Sequence, residues 1–187
     1  MNLITPRLRL RDLAITDLEA VHELLCIPET DEFNTMGLPE NIAATRAILE
    51  GWLEQHQQQP AANYIRVMEQ LSDGRFVGLI AMIGNKAPKY KRAEIWYKIH
   101  KELFGLGYTT EAMKAILHFA FVTLGLHRVE AGCAVDHIAS RRVMEKSGMQ
   151  LEGRSRKILP IRGQWVDAFK YAILDTDYFE QQEQLVS

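Results

Sequence analysis

Three groups of residues in this 187-residue chain have types and spacings suited to chemistry. Phe104-Gly105-Leu106-Gly107-Tyr108-Thr109 separates an apolar strand-like run, Ala93 to Ile99, from an almost wholly apolar helical run, Met113 to Leu124. Two glycines there let the backbone approach a ligand and leave unpaired N–H groups at a helix mouth, which attracts an anion, most often a phosphate. Glu94 and His100 belong to the preceding strand region and can accept a proton. Ser140 opens a later helical run and can cap it. A phosphate-bearing ligand beside groups that can take up a proton is what these parts suit.

The glycine pair alone reads equally well as a glycine-assisted strand-to-helix turn. No Gly-Lys-Ser/Thr follows it, which excludes a Walker A loop, and the third glycine and downstream acid of a dinucleotide fingerprint are absent. Cys26 and Cys133 are far apart and lack metal-ligand spacing, so no metal is expected and reduced thiols are the default. Charged residues begin by Arg7 with no apolar leader, and no run approaches the roughly 20 apolar residues of a membrane span. A cytoplasmic protein is expected, with no membrane partner.

A net charge of −2 gives no argument for nucleic acid. The charge is uneven, however. From Ala139 to Lys170 eight basic residues (Arg141, Arg142, Lys146, Arg154, Arg156, Lys157, Arg162, Lys170) face three acidic ones, so this segment carries +5 and the remainder −7. A solvated basic face and a surface for an anionic ligand or substrate both fit.

The elements that must position these groups follow from periodicity. Leu8 and Leu10 alternate with arginines as a first strand, and Leu18, Val21, Leu24 and Leu25 have helical spacing behind Thr16-Asp17. Pro28 and the polar run to Asn34 break that helix, and a second helix spans about Ile42 to Gln57, ending in a Gln-rich loop before Pro60. Tyr64–Met68 and Phe76–Ile83 flank Ser72-Asp73-Gly74 as a hairpin. The second of these is too continuously apolar for a wet face, so it is central in the sheet. A polar loop, Lys86 to Lys91, leads to the strand Arg92–His100. Val129–Val135 is a strand, Ala139–Ser147 a short helix, and Met149–Leu159 with Trp165–Leu174 a closing strand pair. With no repeat or linker, residues 1–187 read as one α/β (α+β) domain with a mixed sheet.

Five stretches occur in a telling order. They are Thr5-Pro6-Arg7-Leu8-x-Leu10-Arg11, Ala93-Glu94-Ile95-x-Tyr97, Gly105-x-Gly107-Tyr108-x-Thr110-Glu111-Ala112, Ala139-Ser140-x-x-Val143-x-Glu145-Lys146-x-Gly148-Met149, and Glu152-Gly153. Together they resemble the GNAT acetyltransferase superfamily, in the branch of the RimL and RimJ ribosomal-protein N-terminal acetyltransferases. The resemblance runs from Thr5 to about Tyr178. It implies a mixed, mostly antiparallel sheet, flanked by helices and splayed between the strands at 92–100 and 128–135. Acetyl-CoA is then the co-substrate. Its pantetheine arm would bond backbone near Tyr97, Lys98 and Ile99, and its pyrophosphate the N–H groups of Phe104, Gly105, Leu106, Gly107, Tyr108 and Thr109. His137 and Arg142 would complete the CoA contacts by the same resemblance. This sequence departs from the family at Phe104, where Arg, Gln or Trp is frequent, at Thr109, where Gly or Ala is, and at His137, where Asn is common.

Acetyl transfer to an amine needs a base, donors for the developing oxyanion, and a proton for the leaving sulfur. Glu94 is the base candidate. By alternation Glu94, Trp96, Lys98 and His100 share one strand face, and a carboxylate beside Trp96 would have its pKa raised. A solvated or salt-bridged strand residue is the other reading of Glu94. The resemblance places Ser140 near the CoA sulfur; capping the Ala139–Ser147 helix is its alternative or additional role. Glu111 and Glu145 are assigned structural roles. The acceptor implied is a ribosomal-protein N-terminal amine, with a small amine or a non-catalytic acyl-CoA-binding role as alternatives. Its surface would come from the Asp31–Pro39 loop, the second helix and the last hairpin. A homodimer fits the family, and no residue here locates its interface.

Overall fold

The computed structural model describes residues 2–58, 63–84 and 88–186. These form eight strands and six α-helices. In chain order they are β1 (Leu3–Ile4), β2 (Leu8–Asp12), α1 (Leu18–Leu25), α2 (Pro28–Asp31), α3 (Ile42–Gln58), β3 (Asn63–Gln70), β4 (Phe76–Gly84), β5 (Arg92–Ile99), α4 (Tyr108–His118), β6 (Arg128–Ala134), α5 (Ile138–Lys146), β7 (Gln150–Ile161), β8 (Gln164–Leu174) and α6 (Asp175–Val186). The sheet runs β1-β2-β3-β4-β5-β6-β8-β7, and every neighbouring pair is antiparallel except β5 with β6.

β4 is central, as its composition requires. Val77, Ile80 and Met82 face one apolar cluster with α4 and α5, while Leu79 and Ala81 face a second with α1 and α3. A strand covered on both faces has no polar positions to offer, which is why its alternation vanishes. Helices α1 and α3 bury Val21, Leu24 and Leu49 on one face of the sheet, and α4 buries Ala112, Met113, Ile116 and Leu117 on the other.

Several elements depart from the periodicity reading. Pro28, read as a breaker, starts the one-turn helix α2, because a proline at the first helical position loses no hydrogen bond. The fourth helix begins at Tyr108 rather than Met113 and gives way after His118 to a π turn, Phe119–Thr123. That wider turn lets three successive residues, Phe119, Ala120 and Phe121, all be buried. Helix α6 was not foreseen. Its sequence is mostly polar, and Tyr178 docks its ring 5.1 Å from Phe121 with its hydroxyl 2.9 Å from His118 Nδ1. Gln57 and Gln58 of the expected Gln-rich loop belong to α3, and the rest of that loop, 59–62, and positions 86 and 87 of the polar loop lie outside the described residues.

The feature that positions the site is a broken ladder. β5 and β6 pair in parallel only from Arg92↔Arg128 to Ile95↔Ala131. Beyond that, β5 stays with β4 as far as Gly78↔Ile99, and β6 stays with β8 as far as Ala134↔Ala168. The two strands therefore splay, as expected, and their facing edges carry no ladder partner. Gly78 holds β5 in this course: a Cβ there would lie 2.3 Å from the Lys98 carbonyl oxygen.

Candidate active site

The glycine turn sits beside the splay. Gly105 and Gly107 adopt φ of +76° and +83°, conformations that cost an L-residue about 1–2 kcal/mol. Gly107 is the N-cap of the 11-residue helix α4. No acceptor is found among the described residues for the N–H groups of Gly105, Gly107, Tyr108 or Thr109. These donors converge at the positive end of a helix dipole, where an anion gains typically about 0.3–1 kcal/mol per interaction. Phe104 and Leu106 are exposed, Tyr108 is half-buried and Thr109 is buried.

The N-terminal motif braces this turn. Glu111 accepts from the Thr5 hydroxyl at 2.6 Å, the Arg7 N–H at 2.8 Å and Arg7 Nε at 2.6 Å. Arg7 Nη1 also donates to the Leu106 carbonyl at 3.0 Å, and its guanidinium lies 4.5 Å from the Tyr108 ring centroid. Burial opposes ionisation of Glu111, but the Thr5 hydroxyl and the Arg7 donors outweigh it and hold its carboxyl below the usual range. Glu111 is thus structural, as assigned. The bracing role of Arg7, on the first strand motif but 104 positions from Glu111, was not legible before the fold.

Across the splay, Tyr97 reaches α5. Its hydroxyl lies 2.7 Å from Ser140 Oγ and donates to the Ser140 carbonyl at 3.2 Å. Burial pushes the Tyr97 phenol well up, so it stays protonated. Cys133, on the β6 side of the gap, is also next to Ser140, and burial pushes its thiol up to about 11. Ser140 does not cap α5. His137 is the N-cap residue, without a side-chain cap bond, and Ser140 lies three positions inside with its hydroxyl turned to Tyr97. The Tyr97 hydroxyl was missed as a site group, although its alternation opposite Glu94 already aimed it to the α5 face.

Glu94 is on the other face, in register with Glu130 one pair before the ladder breaks. It is exposed, and Trp96 turns instead onto Trp52, ring centroids 5.5 Å apart. The apolar enclosure expected for this carboxylate is therefore not formed. Lys98, whose backbone alone figured in the sequence reading, buries its side chain. Its Nζ lies 4.0 Å from Asp31 Oδ1 of α2, and neither atom has a hydrogen bond. Burial lowers the Lys98 pKa, and Asp31 only partly offsets this. His100 is half-buried with Nδ1 unpartnered. His137 stacks on Phe33, centroids 4.6 Å apart, and burial lowers its pKa. Arg142 is exposed on α5. The structure thus collects Tyr97, Ser140, Lys98 and His137 about the splay, with Glu94 at its closed end on the opposite face from Ser140. No group of three or more His, Cys, Asp or Glu side chains suited to a metal occurs among the described residues.

Comparison with known proteins agrees with this geometry. A family model described as the acetyltransferase (GNAT) domain matches residues 7–150. The uncharacterized N-acetyltransferase YnaD of Bacillus subtilis is 29% identical over 95% of this chain and 99% of that protein. Among solved structures, a GNAT-family acetyltransferase from Bacillus anthracis superposes with a TM-score of 0.80 at 30% identity, covering 94% of this chain and 99% of that one. RimL, a ribosomal L7/L12 α-N-protein acetyltransferase in complex with coenzyme A, superposes at 0.82 over 93% of this chain and 98% of its own, with 20% identity, a likeness of fold. With its splayed sheet, glycine turn and matched domain in agreement, the chain belongs to the GNAT acetyltransferase family and is an acetyltransferase.

Proposed function

We propose that this protein transfers the acetyl group of acetyl-CoA to the α-amine at a protein N-terminus, of the ribosomal-protein type, by direct transfer in a ternary complex in the cytoplasm. The observation that carries this reading is the splay with a proton acceptor on one face and a hydrogen-bonded hydroxyl pair on the other. A thioester lying between the unpaired edges of β5 and β6 would have the Glu94 face on one side and Tyr97–Ser140 on the other. The N–H groups of Gly105, Gly107, Tyr108 and Thr109 support a pyrophosphate at the mouth of α4, whereas those of Phe104 and Leu106, also expected to meet it, donate to the Lys101 and Leu103 carbonyls.

In that arrangement the amine attacks the thioester carbonyl, a C–N bond forms, and the C–S bond breaks. The proton lost by the amine goes to Glu94, directly or through water. Unpaired N–H groups on the β5 edge face the developing oxyanion, and Ser140, backed by Tyr97, donates a hydrogen bond to the leaving sulfur. A thiol of pKa near 8.5 needs little help to leave. An α-amine, with pKa near 7.7–8.0 against about 10.4 for lysine, needs only a modest base, which an exposed carboxylate can supply. The loop after α2, α3 and the β7–β8 hairpin would form the acceptor surface.

The test is thiol release from acetyl-CoA with ribosomal-protein N-terminal peptides, polyamines and aminoglycosides, in the wild type, Glu94→Gln and Ser140→Ala. Turnover with peptides that falls in both variants is the expected result. Turnover confined to polyamines or aminoglycosides would replace the acceptor, and unchanged rates in both variants would dismiss the two roles.

A further inference from the structure

The β7–β8 hairpin, part of the acceptor surface proposed above, carries side chains to which that reading gives no role. β7 is the last strand of the sheet and pairs only with β8. Its ladder breaks between Ser155 and Leu159, and there Lys157 adopts φ +49°; Arg162, at the turn, adopts φ +48°. Among the described residues only three non-glycines have positive φ, and two are cations on this hairpin. Left-handed backbone at a bulky residue is unfavourable and collects at functional surfaces. Arg156, Lys157, Arg162 and Lys170 are exposed with no ion pair within 4 Å among the described residues, although the Lys157 N–H donates to Asp167 Oδ1 at 2.9 Å and its charge also acts on that carboxylate. The two carboxylates nearby are already engaged, Asp167 by Arg154 and Glu152 by Arg128. Beside the cations Trp165 is 60% exposed and Ile158 46%. An exposed Trp among arginines is the composition of a protein-docking anchor.

This surface adjoins the site. Arg162 Nη2 donates to the Pro28 carbonyl at 3.3 Å, and Pro28 opens the single helical turn whose Asp31 approaches Lys98 in the splay. The charge distribution selects the occupant: residues 139–170 carry +5 while the rest of the chain carries −7. An acidic ligand is repelled by most of the molecule and steered here, whereas the apposition of two such hairpins from two copies would set cation against cation.

We propose that the β7–β8 hairpin, through Arg156, Lys157, Arg162 and the Trp165 ring, docks an acidic segment of the acceptor protein that follows its N-terminal residue. This rests on the N-terminal acceptor reading and adds to it a rule for acceptor choice: acidic residues within about ten of the amine, a stretch that extended reaches about 33 Å.

Three labelled peptides test it, with one N-terminal tripeptide followed by Asp/Glu, Ser/Gly or Lys/Arg residues. Binding is read by fluorescence anisotropy, and acetylation is read in parallel. The wild type should bind the acidic peptide roughly tenfold more tightly than the neutral one, a preference that fades as salt rises. The triple variant Arg156→Glu/Lys157→Glu/Arg162→Glu should favour the basic peptide, and Arg156→Lys/Arg162→Lys should keep the wild-type order. If the reversed variant does not fold, Arg156→Gln/Lys157→Gln should lose the preference. Equal wild-type binding of acidic and neutral peptides at low salt overturns the proposal. So does tighter, hairpin-dependent binding of single-stranded RNA, or a wild-type dimer that the charge-reversed variant dissociates. Acidic-peptide binding without acetylation leaves the docking surface standing and removes the transfer reading; acetylation without charge preference does the reverse.

Discussion

The hydroxyls of Tyr97 and Ser140 lie 2.7 Å apart, joining β5 to α5 across the gap where β5 and β6 part. They belong to different motifs, 43 residues apart, and meet only because the parallel ladder ends at Ile95↔Ala131. Both are buried or nearly so, in a place where a hydroxyl without a partner is costly.

Ser140→Ala therefore has two separable effects. It leaves the Tyr97 hydroxyl with the Ser140 carbonyl but without its side-chain partner, at a cost of about 0.5–1.5 kcal/mol in urea unfolding. It also slows acetyl transfer, by roughly tenfold to a hundredfold, with little change in KM for acetyl-CoA, because the role proposed for the hydroxyl is at the leaving sulfur and not at the pyrophosphate. Tyr97→Phe should reproduce the rate defect in weaker form. Steady-state kinetics beside an unfolding curve checks both.

Gly107→Ala tests the turn. At φ +83° an alanine is strained by about 1–2 kcal/mol, although its Cβ would meet only the flexible end of Arg7 at 3.5 Å. The turn should relax away from its N–H-presenting shape, weakening CoA affinity in calorimetry roughly tenfold while the fold survives. Unchanged affinity would mean that these N–H groups hold no phosphate.

Glu111→Gln tests the brace. Because the folded carboxyl is held below its usual value, its stabilisation is fully present above about pH 4.3, the unfolded value, and is lost as pH falls through the folded one. Wild-type stability should therefore drop across that acid window more steeply than the variant's. At neutral pH the variant should unfold at lower urea, by about 1–2 kcal/mol, since the amide keeps one oxygen for Thr5 and the Arg7 N–H but turns an NH2 group, without charge, toward Arg7 Nε.

Lys98 predicts the opposite pH trend. Burial lowers its folded pKa, so the penalty is complete below that value and fades as pH rises towards about 10.4, the free-lysine figure. The wild type should gain stability over that alkaline range, and Lys98→Met should not show this gain. Lys98→Met or Asp31→Leu alone strands one buried charge, whereas the double variant should be more stable than either single one, by about 1–4 kcal/mol. A double-mutant cycle in urea measures it.

Much of this architecture was legible in the residues. Leu8, Leu10, the run Val77–Met82 and the helical spacing of Leu18–Leu25 report burial on one or two faces, and burial is a local pattern when each element has one neighbour layer. The glycine pair was legible too, since positive φ has few other hosts. Helix α6 and the start of α2 were not: α6 is mostly polar and is held by tertiary contacts, Tyr178 on Phe121 and His118 and Gln181 on the Gly148 carbonyl, while α2 starts at a proline in the first helical turn.

By itself the sequence determined most of the elements, the central strand, the glycine turn at the mouth of α4 and the side of β5 on which Glu94 lies, all consequences of alternation and backbone sterics within a few residues. Only the tertiary structure decided where the β5–β6 ladder stops, and with it the rest: Tyr97 on Ser140, Arg7 on Glu111, Lys98 enclosed with Asp31, and Glu94 left in solvent. Those pairings depend on distances between segments up to about a hundred residues apart, and no local spacing encodes such distances until packing closes the chain on itself.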